Sequence, residues 1–118
     1  MAEFFKLSDL SAGLARELAP GVNTRIFPGE QAMLSVVTLA ANAAGRVHSH
    51  PEEQWGLLLE GSGVRMQDGV DHSVVKGDFW RTPGGVEHGL VAGPDGCQVL
   101  DVFAPPREAY KRAGSGFT

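Results

Sequence analysis

Turn-forming residues separate nearly all of the short apolar segments in this chain. Glycine supplies positive backbone angles and proline fixes φ, so both suit short connections between strands. Helices of ordinary length have little room between closely spaced turns, whereas short strands fit there. The turn signals are Pro28-Gly29, Gly61-Ser62-Gly63, Asp68-Gly69, Lys76-Gly77, Pro83-Gly84-Gly85 and Gly93-Pro94-Asp95-Gly96.

The segments between these turns have the composition of strands. They are rich in β-branched and aromatic residues, which favour extended backbone. Many short strands at close spacing predict an all-β sandwich or barrel. The predicted strands span residues 22–27, 32–41, 46–50, 54–59, 64–67, 73–75, 78–81, 87–91 and 98–103.

One segment near the N-terminus has a helical pattern instead. In residues 8–18, Ser8 or Asp9 can cap a helix, and three leucines recur on one stripe. Gly13 opposes this, because glycine costs about 1 kcal/mol in a helix interior. We therefore predict a short N-terminal helix here and a second helical turn over residues 107–112.

Composition limits the class of protein. A chain of 118 residues fits one core, and a hydrophobic content of 42% is ordinary for a globular protein. The net charge of -4, without a run of lysine and arginine, argues against nucleic acid as a partner. The N-terminus has no basic region before a long apolar stretch, so we expect a cytoplasmic protein with no membrane span. The single cysteine, Cys97, lacks a disulfide partner and is expected to be a small buried residue.

Three histidines stand in a frame that predicts a metal site. His48 and His50 lie on the same face of an extended strand, because side chains alternate faces along it. Pro51 keeps the pair extended, since the residue before a proline disfavours helix. Gln54 then offers a side-chain oxygen that can bind a hard or borderline cation. His88 follows a segment whose glycines and proline mark a tight turn between two strands.

Other polar residues near this frame have weaker claims. Glu52 and Glu53 are alternative carboxylate ligands, although the spacing favours Gln54 and both suit a solvent-facing loop. His72 lies outside the frame, beside the Asp68-Gly69 turn, and is expected to be solvated.

The predicted ligand set has a chemical consequence. Three neutral imidazoles and one neutral amide would leave the full charge of a divalent ion uncompensated. Such an ion polarises an enol or carbonyl oxygen and lowers the pKa of bound water, which suits proton transfer, isomerisation or hydrolysis. A neutral amide ligand also makes a higher oxidation state of iron less favourable than a carboxylate ligand would. Lewis-acid chemistry is therefore favoured over oxygen chemistry. We expect one divalent transition metal ion, and mixed nitrogen and oxygen ligands leave nickel, iron, manganese, zinc and cobalt open.

The histidine segments resemble the two motifs of the cupin family. The matching residues are His48, His50, the position of Gln54, and Gly61 in the first motif, and Gly77, Pro83, Gly85 and His88 in the second. The sequence departs from the family in three places. Gln54 replaces the usual glutamate, Ala92 replaces the closing asparagine, and Gly45 lies closer to His48 than the usual spacer allows.

This resemblance implies a double-stranded β-helix, the jelly-roll barrel of the cupins. It implies a single domain over residues 1–118, with the barrel core at about residues 22–105. Small cupins usually associate, and a short barrel with exposed edge strands gains by pairing them, so we also expect a homodimer.

The chain is similar in more detail to the pectin-degradation cupins. Their His-Ser-His-Pro-x-Glu-Gln signature is matched from His48 to Gln54. Their Asp-Val-Phe-Ser-Pro-x-Arg-Glu signature is matched from Asp101 to Glu108, with Ala104 in place of the serine. What the resemblance implies is a metal-assisted conversion of 4,5-unsaturated uronates, released from pectin or alginate, to the linear keto form. The substrate would be a small carboxylated sugar.

Four further residues are candidates for contact with that substrate. Asp101 and Phe103 alternate onto one strand face. If that face lines the barrel, as the resemblance implies, Asp101 can move a proton to or from a sugar hydroxyl or carbon, and Phe103 shapes the pocket wall. Arg107 can hold the substrate carboxylate by a bidentate pair. Arg81 either lines the mouth of the barrel or faces solvent.

Two other functions are open at this stage. The histidine-rich centre also permits a metal-dependent dioxygenase, which would consume oxygen with another small molecule. A non-catalytic cupin that stores or senses a small ligand is the third hypothesis, and ligand protection against unfolding without turnover would favour it.

Overall fold

The computed structural model of the protein describes residues 3–112 and 114–116. It is an all-β chain with one short 3-10 helix, Glu108–Tyr110. In chain order, the strands are β1 (Leu14–Ala19), β2 (Val22–Pro28), β3 (Met33–Leu39), β4 (Glu53–Gln67), β5 (Val70–Val75), β6 (Phe79–Thr82), β7 (His88–Ala104) and β8 (Gly114–Ser115).

All of these strands belong to one sheet that curls into a jelly-roll barrel, as predicted. The strand order is β5-β4-β7-β3-β2-β1-β8, and β6 pairs with β4 beside this path. The long strands β4 and β7 pair antiparallel along most of their lengths, from Glu53↔Ala104 to Gln67↔His88. The register shifts in two places between Leu58 and Gly63, and such bulges bend a strand and increase its twist. One pair of long strands therefore serves both halves of the barrel.

The predicted strand boundaries change at the centre of these two strands. The predicted strands at residues 54–59 and 64–67 merge into β4, and those at residues 87–91 and 98–103 merge into β7, which begins at His88. The glycines between them act at bulges and bends within strands. Gly61 has φ 82° and lies against the backbone carbonyl of Gly96, so a side chain there would collide with it. The predicted strand at residues 46–50 is reduced to a single bridge, His48↔His88.

The predicted N-terminal helix over residues 8–18 is wrong. Residues from Leu14 onward form β1, which pairs antiparallel with β2 and extends the sheet before residue 22. Arg16 and Leu18 are both buried, which is the alternation of a strand. Gly13 packs against the Phe27 ring, where a Cβ would be in collision. Pairing with β2 outweighs the weak helical stripe. The turn predicted over residues 107–112 is confirmed as the 3-10 helix.

Inward-facing apolar side chains fill the barrel core. Ile26, Met33, Leu58 and Val99 are at most 2% exposed, and full burial of such a side chain stabilises the fold by about 1.5–3 kcal/mol. Cys97 is buried and free, as predicted. No helix in the described part of the chain is long and apolar enough to cross a membrane.

Candidate metal centre

Local backbone contacts bring the three predicted histidines together. His88 is the first residue of β7, and it exchanges two backbone hydrogen bonds with His48, at 3.0 and 2.9 Å. The turn before β7 is joined to His50, because the Gly85 N–H donates to the His50 carbonyl at 2.8 Å. His50 and His88 are buried and His48 is half-buried. One ligand atom from each imidazole lies within 4.8 Å of the others.

Hydrogen bonds determine which ring nitrogen is free to bind an ion. Nδ1 of His50 lies 3.1 Å from the Glu52 carbonyl, and Nδ1 of His88 lies 2.9 Å from the Val86 carbonyl. A carbonyl only accepts, so each Nδ1 carries the proton and each Nε2 keeps a lone pair. Nε2 of His88 is buried without a hydrogen-bond partner among the described residues. This is the arrangement that metal-binding imidazoles adopt.

Gln54 presents its oxygen to the same place. Its amide N–H donates to the Asp101 carboxylate, which turns Oε1 toward His50. Oε1 then lies 2.9 Å from Nε2 of His50, so two acceptors face each other. Two neighbouring ligand atoms that each lie about 2.1 Å from an octahedral ion are roughly 3 Å from each other. The residues therefore fit a divalent ion held by the three imidazoles and the Gln54 oxygen.

Burial keeps these imidazoles neutral. It lowers the pKa of His48 to about 3, with further lowering by His88 and Arg107. Burial also lowers the pKa of His88 to about 4 and lowers the pKa of His50. Only a neutral imidazole can donate its lone pair to a metal, so the set is ready to bind an ion near neutral pH.

Asp101 lies beside this ligand set on the inner face of β7. It is half-buried as a residue, and its Oδ1 is enclosed without a hydrogen-bond partner in the described part of the chain. Burial raises the pKa of Asp101 to about 6, although Arg65 and the Gln54 hydrogen bond act in the opposite direction. A carboxyl with this pKa can take up and release a proton near neutral pH.

Arg107 and Phe103 lie on the C-terminal side of the histidines. The Phe103 ring centroid is 5.6 Å from that of His50. Arg107 is 4% exposed, and its guanidinium carbon lies 4.2 Å from the centroid of the Tyr110 ring. Its Nε is 3.7 Å from Oε1 of Glu52, and its NH1 is buried with no hydrogen-bond partner within residues 3–112 and 114–116. A buried cation with a free donor can bind an anion at little desolvation cost.

The acidic alternatives and Arg81 lie elsewhere. Glu53 is on the outer side of β4, where it pairs with Arg81 at 3.1 Å. Arg81 therefore faces solvent and is not brought to the candidate site. Oε1 of Glu52 lies 3.4 Å from Nδ1 of His50, the ring nitrogen turned away from the ligand position. His72 is exposed, as predicted.

Sequence reasoning missed Arg65. This side chain is 5% exposed and lies on the inner face of β4, where its NH2 donates to Oγ1 of Thr82 at 2.8 Å. A cavity of about 60 Å³ lies between Arg65 and the ligand set, and Gln54, His88 and Asp101 also line it. The inward position of Arg65 in an alternating strand was the available signal.

The fold and this site define a cupin. The sequence profile of the family described as Cupin domain matches residues 35–103, and the chain belongs to this family. It is similar to the dimethylsulfoniopropionate lyase DddW of Ruegeria pomeroyi, with 44% identity over 59 residues. It is also similar to the oxalate decarboxylase OxdC of Bacillus subtilis, with 32% identity over 97 residues. These matches cover 50% and 77% of this chain but only 39% and 24% of the two relatives.

Solved structures have the same fold over nearly the whole chain. An RmlC-like cupin from Shewanella frigidimarina has a TM-score of 0.80 at 26% identity, over 92% of this chain and 96% of that one. KdgF from Halomonas sp. has a TM-score of 0.81 at 24% identity, over 92% and 98% of the two chains. The fold confirms the cupin resemblance, and the curated relatives are enzymes that act on small molecules.

Proposed function

We propose that this cupin is an enzyme that converts a 4,5-unsaturated uronate to its linear keto form, with a divalent ion held by His48, His50, Gln54 and His88. The observation that carries the proposal is the position of Asp101. Its buried carboxyl, with a pKa of about 6, touches the amide of a candidate ligand and lines the cavity beside the histidines. A proton-transfer group therefore adjoins the place where an electrophile would be bound.

The reaction needs a proton to move within the substrate. The hydroxyl on the anomeric carbon loses its proton, the bond between the anomeric carbon and the ring oxygen breaks, and the enolate that results gains a proton on carbon. No oxidant or further reactant is required. Asp101 takes the first proton and returns it to the carbon. A bound divalent ion would supply Lewis acidity toward the developing oxygen charge.

Arg107 supplies the second requirement, a carboxylate anchor. Its guanidinium is close enough to the three histidines to lower the pKa of His48, His50 and His88. Its buried NH1 has no partner in the described residues, so an incoming carboxylate replaces no strong bond. The Phe103 ring centroid lies 5.7 Å from the Arg107 guanidinium carbon and 5.6 Å from the His50 ring centroid, which supports the proposal that Phe103 shapes the wall beside them. A small acid held by Arg107 would lie next to the candidate centre.

A second candidate reaction is favoured by the similarity to the dimethylsulfoniopropionate lyase, at 44% identity over half of the chain. In that case Asp101 would remove a proton from the carbon beside the carboxylate, and the sulfonium would leave as a neutral sulfide. Arg107 would hold the carboxylate in the same way. Both reactions use one base, one carboxylate anchor and one ion, so only substrate choice separates them.

The test is an assay with both substrates. Metal-loaded and chelator-stripped protein are mixed with 4,5-unsaturated galacturonate, and the ultraviolet absorbance of the conjugated double bond is followed against the spontaneous rate. We expect metal-dependent acceleration. Decay at the spontaneous rate with verified metal occupancy would sink the uronate proposal.

The same preparations are then given dimethylsulfoniopropionate and tested for release of dimethyl sulfide. Release in place of uronate conversion would establish the second candidate. Oxygen uptake by the metal-loaded protein would indicate a dioxygenase, and thermal protection by the uronate without turnover would indicate a ligand-binding cupin.

A further inference from the structure

One row of residues crosses three strands on the inner face of the barrel, next to the candidate metal centre. Trp80 of β6 and Asp101 of β7 both lie opposite Gly56 of β4. Because Gly56 has no side chain, the indole of Trp80 lies over β4, and a Cβ on Gly56 would collide with the indole Nε1. The Trp80 N–H therefore lies above β4, the strand between Trp80 and Asp101.

Arg65 reaches the same area from the far half of β4. Its guanidinium carbon lies 5.4 Å from the centroid of the Trp80 ring. It lines the 60 Å³ cavity together with Asp101, and its positive charge acts on the Asp101 carboxyl. Its NH2 is held by Thr82, which fixes the orientation of the planar guanidinium.

Three polar atoms in this area are buried without hydrogen-bond partners in the described part of the chain. They are Nε of Arg65, Nε1 of Trp80 and Oδ1 of Asp101. Buried polar atoms are almost always hydrogen-bonded, so three unpartnered atoms in one area indicate a missing partner. Two of them are donors and one is an acceptor, and a hydroxyl group accepts two hydrogen bonds and donates one.

We propose that Arg65, Trp80 and Asp101 form a subsite that binds a hydroxyl group of the substrate. The hydroxyl oxygen accepts from Arg65 Nε and Trp80 Nε1, and its proton is donated to Asp101 Oδ1. This inference rests on the proposed function and narrows its substrate class to small acids that carry a hydroxyl besides the carboxylate held by Arg107. Sugar acids meet this requirement, whereas dimethylsulfoniopropionate has no hydroxyl.

Ligand binding tests the subsite without the need for turnover. The dissociation constants of galacturonate and of cyclohexanecarboxylate, a ring acid without hydroxyls, are measured by calorimetry on protein loaded with a divalent ion. Trp80→Phe keeps the aromatic ring and removes the N–H. We expect it to weaken galacturonate binding about tenfold and to leave cyclohexanecarboxylate within about twofold, since only the hydroxylated acid uses that donor.

Trp55→Phe is the matched control. The Trp55 indole lies on the exposed side of β4 and donates to Oε2 of Glu53 at 2.9 Å, so its loss should change neither constant. Arg65→Lys is a second variant, because it keeps the charge and removes the Nε donor. Arg65→Lys should lower the affinity for galacturonate but not for cyclohexanecarboxylate. It replaces Trp80→Phe as the test if that variant unfolds.

The outcomes separate this inference from the proposed reaction. Equal loss for both acids, or no loss for either, in a folded Trp80→Phe protein would overturn the subsite. Unchanged binding with a lower Tm would assign the three atoms to a structural water. If galacturonate binding depends on Trp80 but the unsaturated uronate is not converted, the reaction is wrong and the subsite stands.

Discussion

At the scale of single residues, the amide of Gln54 links the two halves of the candidate chemistry. Its N–H donates to Asp101 and its oxygen faces His50. A glutamate has no N–H to donate, and its charge would face the Asp101 carboxylate instead. The glutamine therefore lets a carboxyl group stand beside the ligand set without electrostatic repulsion.

Substitution of Gln54 tests this link. Gln54→Glu places a second carboxylate against Asp101, which disfavours ionisation of both groups and removes the hydrogen bond that orients Asp101. We expect the divalent ion still to bind and the rate of uronate conversion to fall at least tenfold. Metal content by elemental analysis and kcat on the same sample check this, with Gln67→Glu, whose side chain contacts Thr82 and the Arg81 carbonyl, as the control. An unchanged kcat in Gln54→Glu would contradict it.

Arg107 allows a second test at this scale. Arg107→Lys retains a cation but loses the planar fork that pairs with a carboxylate. We expect kcat/KM for the uronate to fall about 30-fold, mainly through KM, because a charged hydrogen-bonded contact contributes about 2 kcal/mol. Steady-state kinetics check the result. A loss confined to kcat would show that Arg107 does not anchor the carboxylate.

At the scale of elements, the turn between β6 and β7 holds the two histidine segments in register. Gly85 donates to the His50 carbonyl, and Gly84 packs directly against the Pro51 carbonyl. His88 follows this turn within a few residues. The distance between His50 and His88 therefore depends on close backbone contact at the turn.

Gly84→Ala should disturb this contact. Its Cβ would collide with the Pro51 carbonyl, and the turn must then move away from the His50 segment. We expect metal affinity to fall at least tenfold and the Tm to fall as well. Gly69→Ala is the control. Its φ of 76° makes alanine costly by about 1–2 kcal/mol, but an added Cβ there would touch no other atom. It should lower the Tm and leave metal affinity unchanged; the prediction fails if both variants bind metal alike.

At the scale of the whole molecule, stability depends on pH through the buried imidazoles. His48 and His88 have a pKa of about 3 and about 4 in the folded protein, below the ordinary value of 6.5. Below pH 6.5 the unfolded chain therefore binds protons that the folded protein does not, and unfolding is favoured. Asp101 acts in the opposite direction, because its folded pKa of about 6 exceeds 3.8 and the folded protein gains its proton first.

The two histidines outnumber the one carboxyl, so the metal-free protein should lose stability as pH falls from 6.5 toward 4. We expect the Tm of chelator-treated protein to fall by about 5 °C or more between pH 7.5 and pH 5. His48→Gln should make this dependence shallower. Thermal unfolding followed by circular dichroism checks it, and a Tm that rises as the pH is lowered would refute the assignment.

The homodimer remains a prediction at this scale. The outer face around β1, β2 and β3 has a groove lined by apolar side chains, and Phe5, Leu7 and Leu34 are exposed on it by 54%, 56% and 41%. Exposed apolar patches of this kind often mark contacts between subunits. We expect a dimer by light scattering and a monomer for Leu34→Glu, with Val70→Glu, at an exposed strand end, as control. A wild-type protein that is monomeric by light scattering would contradict the prediction.

The sequence by itself determined the features that depend on neighbouring residues. The all-β class follows from the turn residues, and the closeness of His48 and His50 follows from the extended backbone that Pro51 favours. His88 was assigned to the same site from the resemblance to the cupin motifs, since its backbone contact with His48 joins residues far apart in the chain. The first two features need only local geometry, so a pattern of residues is enough to predict them.

Tertiary structure decided what depends on strand pairing. Leu14 to Leu18 became a strand because β2 offered an edge, which outweighed the leucine stripe. Arg81 faced solvent because its register opposite Trp55 placed it on the outer face. The approach of Arg65 and Trp80 to Asp101 depends on the register of β4 with β6 and β7 and on the missing side chain of Gly56. Such contacts join residues far apart in the chain, so no local pattern contains them.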